Sequence, residues 1–153
     1  MSQNRRQFLK STATFASVLV LPALVGCDEE EPSGPTVNEA WQSRAAELET
    51  TVHSAATGTG TKPEVHIPVA TYDASTGMVV VDVPHVMETD HYITTVYIKD
   101  QDGVVLGLVE YPTPSAAGDS PSESFAAHES STMIYAYAYC NLHDNWVDAG
   151  TSV

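Results

Sequence analysis

Thr132-Met133-Ile134-Tyr135-Ala136-Tyr137-Ala138-Tyr139-Cys140 alternates residue by residue, and its reading sets the fold. In extended chain Tyr135, Tyr137 and Tyr139 fall on one face and Ile134, Ala136, Ala138 and Cys140 on the other. That is the period of two expected of a strand with one face in a core. The run leads into Asn141-Leu142-His143-Asp144-Asn145-Trp146, so a cysteine and a histidine stand three apart just beyond the strand.

Working outward, the same signals recur. Val65, Ile67 and Val69 alternate, which predicts a strand from Glu64 that carries His66. Met78 to Val83 is a β-branched run ending at Pro84, and Tyr92 to Ile98 is another. Asp100-Gln101-Asp102-Gly103 reads as a hairpin turn leading to Val104 to Tyr111. Pro112 to Ser122 is a loop rich in Pro, Ser, Ala and Gly, and Ser124 to Ala127 is a short strand. Short strands at this spacing predict an all-β, immunoglobulin-like antiparallel sandwich of about seven strands. Its domain runs over 63–153.

Ahead of it, residues 28–62 read as tether, helix and linker. Asp28 to Thr36 is acidic and Pro/Gly-rich. Thr36-Val37-Asn38-Glu39 has the form of a capping box, with Trp41, Ala45, Leu48 and Val52 at helical spacing behind it. A short amphipathic helix is expected over 38–53, packing on the domain or on a partner, with His53 as a surface residue at its end. Ser54 to Lys62 is a link.

Residues 1–27 read as a targeting segment. Asn4-Arg5-Arg6-Gln7-Phe8-Leu9-Lys10 resembles a twin-arginine motif. Leu24-Val25-Gly26-Cys27, after the apolar stretch Phe15 to Gly26, resembles a lipoprotein processing box. The expected location is outside the cytoplasm, periplasmic or at the cell surface, with membrane attachment only through lipid on Cys27. The chain has two cysteines. A Cys27–Cys140 disulfide is the plain alternative, but lipid on Cys27 leaves Cys140 unpaired and available as a ligand.

Charge narrows the partners. Six Lys+Arg stand against 20 Asp+Glu, a formal net charge of −14. Arg5, Arg6 and Lys10 lie in the first ten residues, so a chain cut just before Cys27 is more acidic still. Nucleic acid and electrostatic docking on anionic lipid are excluded as partners.

The chemistry-bearing residues gather in three segments. His66 lies in Glu64-Val65-His66-Ile67-Pro68, His85 and His91 bracket a loop after Pro84, and Cys140 and His143 form a C-x-x-H pair. His128 has no neighbouring partner signal and reads as a surface residue. Four imidazoles and one thiolate exceed a closed tetrahedral zinc site. On an octahedral ion such as iron they leave one position free. A thiolate pushes electron density toward whatever binds at such a position, as it does on haem, which points to redox chemistry on a small oxygen species.

These segments carry a resemblance. Glu-x-His-x-Pro, then Pro-His-x-Met with His-Tyr-Ile, then Tyr-Cys-Asn-x-His-x-x-Trp occur in that order, and together they resemble the superoxide reductase family (neelaredoxin and the iron-binding domain of desulfoferrodoxin) over about Lys62 to Asp148. The resemblance implies a mononuclear iron, Fe2+/Fe3+, with His66, His85, His91 and His143 in a plane and Cys140 axial. It implies reduction of superoxide, with one electron and two protons, to hydrogen peroxide. Glu64 matches a family glutamate that closes over the oxidised ion. The family's four-cysteine rubredoxin-like site is lacking, so an external electron donor, rubredoxin-like or cytochrome-type, is implied. A homo-oligomer is compatible with the sequence.

Three positions depart from the family pattern. Val65 stands where many members have a lysine, a role Lys62 is placed to take over. Ala138 stands where many have glutamate, and Asp144-Asn145 replaces Gly-Leu. The alternative is an iron-binding or electron-transfer module on the same scaffold without turnover.

Overall fold

The computed structural model describes residues 34–54, 62–113 and 119–153. The expected targeting segment, residues 1–27, lies outside them. In chain order the elements are helix α1 (Glu39–Leu48), strand β1 (Val52–His53), helical turn α2 (Pro63–His66), and strands β2 (Val69–Asp73), β3 (Met78–Asp82), β4 (Ile93–Asp100), β5 (Val105–Glu110), β6 (Ser122–Ala126), β7 (Met133–Cys140), β8 (Asp144–Val147) and β9 (Thr151–Ser152).

The alternation of Met133–Cys140 becomes β7, whose burial alternates as the sequence does. It is the hub of the larger sheet, ordered β1-β8-β7-β4-β5, with β9 also paired to β7. The smaller sheet is β2-β3-β6. Pairing is antiparallel throughout, except that β1 runs parallel to β8. Among the described residues seven strands have four or more residues, and β1 and β9 have two each.

The core lies between the sheets. Val79 and Val81 of β3 and Phe125 of β6 meet Ile93, Val96 and Ile98 of β4 and Ile134, Ala136, Ala138 and Cys140 of β7. Gly107 of β5 marks a close approach to β6: a Cβ there would run into the Phe125 ring. Cys140 is wholly buried, at the end of this core row. Ala138 is wholly buried in the same row, so the family's glutamate would lie inside the core at this position.

Tyr137 and Tyr139, on the tyrosine face of β7, lie on the other side of the sheet and pack against α1. Ala45 and Leu48 form a second cluster with Tyr97 and Val105, joined by Trp41, Leu108, Tyr137 and Tyr139. The Tyr97 and Tyr137 rings stack 4.7 Å apart. Glu49, just past the helix, accepts from the Tyr97 hydroxyl at 2.9 Å and from Lys99 Nζ at 2.7 Å. The Gln42 amide donates to the Gly103 carbonyl and accepts from Val105 N–H, each at 3.0 Å, which ties the helix to β5.

Three local expectations are corrected. The helix is capped by Asn38, whose side chain accepts from Trp41 N–H at 3.1 Å, and not by a Thr36 capping box. It ends at Leu48, and Val52 and His53 leave it to pair with Asn145 and Trp146 as a strand. The predicted strand through Val65 and Ile67 is a helical turn. Pro63 sits at the first helical position, where its fixed φ and missing N–H cost nothing, and Ile67 N–H closes the turn on the Pro63 carbonyl at 3.0 Å. Strand geometry begins only at Val69, after Pro68.

Candidate metal centre

Three short pieces of backbone bring the predicted ligands together. The α2 turn carries His66. Lys62 N-caps this turn, and its carbonyl accepts from His66 Nδ1 at 2.8 Å. A carbonyl only accepts, so Nδ1 holds the ring proton and Nε2 presents its lone pair. The loop after β3 carries His85 and His91. It is pinned by His85 N–H to the Val83 carbonyl at 2.7 Å and closed by Glu88 N–H to the His91 carbonyl at 3.0 Å. The turn between β7 and β8 carries Cys140 and His143.

Asn141 ties the last two pieces together. Its Oδ1 accepts from Tyr92 N–H at 2.9 Å, its Nδ2 donates to the Asp90 carbonyl at 2.9 Å, and its own N–H donates to the Tyr92 carbonyl at 3.1 Å. Ligand candidate His91 sits between those two anchors. Sequence reasoning gave Asn141 no role, because its partners lie about 50 residues away. Asp144 has φ 63°, the left-handed region where glycine is at ease, which accounts for the family's glycine at this position. Trp146 Nε1 donates to the His143 carbonyl at 2.9 Å, and its ring stacks on that of His66 at 5.1 Å.

The ligand atoms converge. His66 Nε2 lies 2.8 Å from His143 Nδ1, which lies 3.1 Å from His91 Nε2, which lies 3.1 Å from His85 Nε2. Cys140 Sγ lies 3.7 Å from His143 Nδ1. The donor atoms of His66, His91, Cys140 and His143 are all within 4.8 Å of one another. His128 stays apart, hydrogen-bonded to Ser130 Oγ at 2.8 Å.

These distances test whether the residues fit an ion. Nitrogens about 2.1 Å from one centre are about 3.0 Å apart at right angles and about 3.4 Å apart on a tetrahedron. The observed spacings match right angles. Moreover, His143 Nδ1 approaches two other ring nitrogens at once, yet carries only one proton or one lone pair. Hydrogen bonding cannot satisfy all these nitrogens together; a shared cation does. The donor set therefore fits a metal ion with more than four ligands.

The electrostatics agree. Burial lowers the pKa of His66 and His143 and brings His85 down to about 4, with the neighbouring rings adding to the effect on each. His66, His85 and His143 are thus held neutral, as ligands must be. Burial pushes the Cys140 thiol up, so an incoming ion has to displace its proton.

A cavity of about 400 Å³ opens over the imidazoles. All four candidate ligand histidines line it, with Lys62, Val65, Pro84, Val86 and Glu88. Cys140 is not part of its wall. Neither is Glu64, which is exposed. In a strand Glu64 and His66 would share a face; in the helical turn they stand about 200° apart, while Lys62 shares His66's face at i, i+4. Glu88, which sequence reasoning passed over, brings a carboxylate to the rim.

Comparison with known proteins agrees with this geometry. Residues 57–149 match the family model for desulfoferrodoxin. The superoxide reductase of Pyrococcus horikoshii is 30% identical over 97 residues, covering 56% of this chain and 84% of that protein. A solved structure of a hypothetical protein from the same organism is 26% identical, with a TM-score of 0.50 over 69% of this chain and 98% of its own. A superoxide reductase (neelaredoxin) of Ignicoccus hospitalis, 23% identical over 69% of this chain and 95% of its own, gives a TM-score of 0.52 and shows the fold.

Proposed function

This chain belongs to the desulfoferrodoxin family, and from that premise we propose that it is a one-iron superoxide reductase acting outside the cytoplasm. The observation that carries the reading is the near-square of ring nitrogens, 2.8–3.1 Å apart, between a buried cysteine and an open cavity. His66, His85, His91 and His143 would hold the iron through their ring nitrogens, with Cys140 as the sulfur ligand. Bound there, iron supplies one-electron redox chemistry, its electron richness raised by the thiolate.

The chain's own residues do the rest. Lys62 places an ammonium at the cavity wall, where it attracts an anion and donates a hydrogen bond from Nζ. Val65 and Pro84 keep that wall partly apolar, and the cavity opens to solvent, the source of the two protons that the reaction needs. Cys140, wholly buried, is kept from the oxidant's direct attack. Glu64 would have to swing with its turn to reach the cavity.

The test is anaerobic rapid mixing of the iron-loaded protein with superoxide. An enzyme oxidises within milliseconds and yields peroxide without dioxygen; a slow, non-catalytic response would favour an electron-transfer module. The second reading draws support from Val65 in place of the lysine and from the outward Glu64. We further propose a mature domain over 63–153 behind the 28–62 segment, export by the twin-arginine route, and a lipid anchor at Cys27. A Cys27→Ser chain that still pellets with membranes would sink the anchor.

A further inference from the structure

A chain of aromatic rings runs from the surface to the site. His53 is partly exposed, its side chain 28% accessible, and its ring lies 5.0 Å from that of Trp146. Trp146 is wholly buried and stacks on His66, centroid to centroid 5.1 Å, with the planes 25° apart. Two ring contacts therefore join solvent to a ligand candidate. The register is built in: His53 is the β-partner of Trp146, because β1 runs parallel to β8. The segment that supplies His53 lies ahead of the family match, so this contact belongs to the chain's own N-terminal part. Asp144, its side chain 52% exposed, stands 3.5 Å from His53 Nε2 and marks the spot with negative charge.

We propose that electrons reach the site along His53, Trp146 and His66, from a one-electron donor protein whose basic face docks around His53 and Asp144. The inference rests on the superoxide reductase reading. In the step, the donor loses one electron and the site's ferric ion gains it; no bond to the donor forms and no proton moves. Electron tunnelling weakens steeply with distance through saturated chain, and stacked rings shorten the gaps. The acidic chain, at −14, complements a cationic donor and repels an acidic one. Neither His53 nor Asp144 lines the substrate cavity with its Lys62, which leaves the cavity free for superoxide while a donor is bound.

The test uses the iron-loaded full chain, oxidised, mixed in stopped flow with a reduced basic c-type cytochrome, and in parallel with ascorbate. His53→Ala is expected to slow the cytochrome reaction several-fold and leave ascorbate unchanged, while His53→Phe restores the cytochrome rate. The cytochrome rate should fall with added salt. Independently, oxidised cytochrome added to the zinc-substituted protein should shift amide signals of residues 52–53 and 144–146. Shifts centred on Lys62, Val86 and Glu88, or a His53→Ala rate equal to the parent's, would overturn the proposal. Equal loss of both reductions would too, since it means damage to the site. Superoxide oxidation of the parent is read separately: if that fails, the enzymatic reading falls, and if it stands while His53 has no effect, only the route falls.

Discussion

The two sides of the metal centre are built differently. The sulfur side is strand and core: Cys140 closes the buried row of β7, pinned between sheets. The cavity side is turn and loop: His66 on a single helical turn, His85 and His91 on a loop stitched by a few backbone hydrogen bonds. The contrast teaches that the cysteine is fixed by the fold itself, whereas the histidines are fixed by local clasps. Losing the first should break the site; loosening the second should detune it.

The largest expected effect follows from removing the sulfur. Cys140→Ser should abolish the visible thiolate-to-iron band and weaken iron binding by more than about 100-fold, given that even outer partners cost about 10–100-fold. Metal analysis and an absorption spectrum of the oxidised protein check both. Next comes the clasp. Asn141→Ala frees the His91 loop from the cysteine turn and should weaken iron binding by about 10–100-fold while keeping the band. A variant that binds like the parent would mean that the cavity side is held by something else.

Acid sharpens the contrast further. In the metal-free protein, His66, His85 and His143 have folded pKa values below that of an unfolded histidine, His85 at about 4. The unfolded chain therefore takes up more protons on acidification. For His85 the stability is fully present above about pH 6.5 and falls toward pH 4, by up to about 1.4 kcal/mol per pH unit, and His66 and His143 act in the same direction. Denaturant melts of the metal-free protein across that window should show the slope, and His85→Phe should flatten it. The smallest effect concerns the cavity wall. Val65→Lys should raise the superoxide rate constant roughly tenfold at low salt, the gain shrinking as salt is added. Pulse radiolysis at several ionic strengths reads it.

How far the sequence could be read follows the same division. β7 was legible because its tyrosine/small-residue alternation has a single physical reading, and the hairpin at Asp100–Gly103 because Gly103 takes φ 80°. The ligand residues were legible as types and spacings. The α2 turn was not: Val65, Ile67 and Val69 alternate as a strand does, and only Pro63 opposes it. The turn also sets where Glu64 stands: it is exposed and outside the cavity wall, a position the resemblance alone does not give. Asn141 and His53 were beyond reach for another reason. Their partners are distant in sequence, and only the packed sheets bring them together.

The Gln42 clasp on β5 has a consequence outside catalysis. A carboxamide has the same donor and acceptor as a peptide group, and here it fills both sites offered by Gly103 and Val105. At that point an incoming strand from another molecule finds the rung already taken, which protects this end of the edge strand β5. Gln42→Ala would reopen the rung, and the cost would surface in storage, as slow self-association, before any loss of turnover.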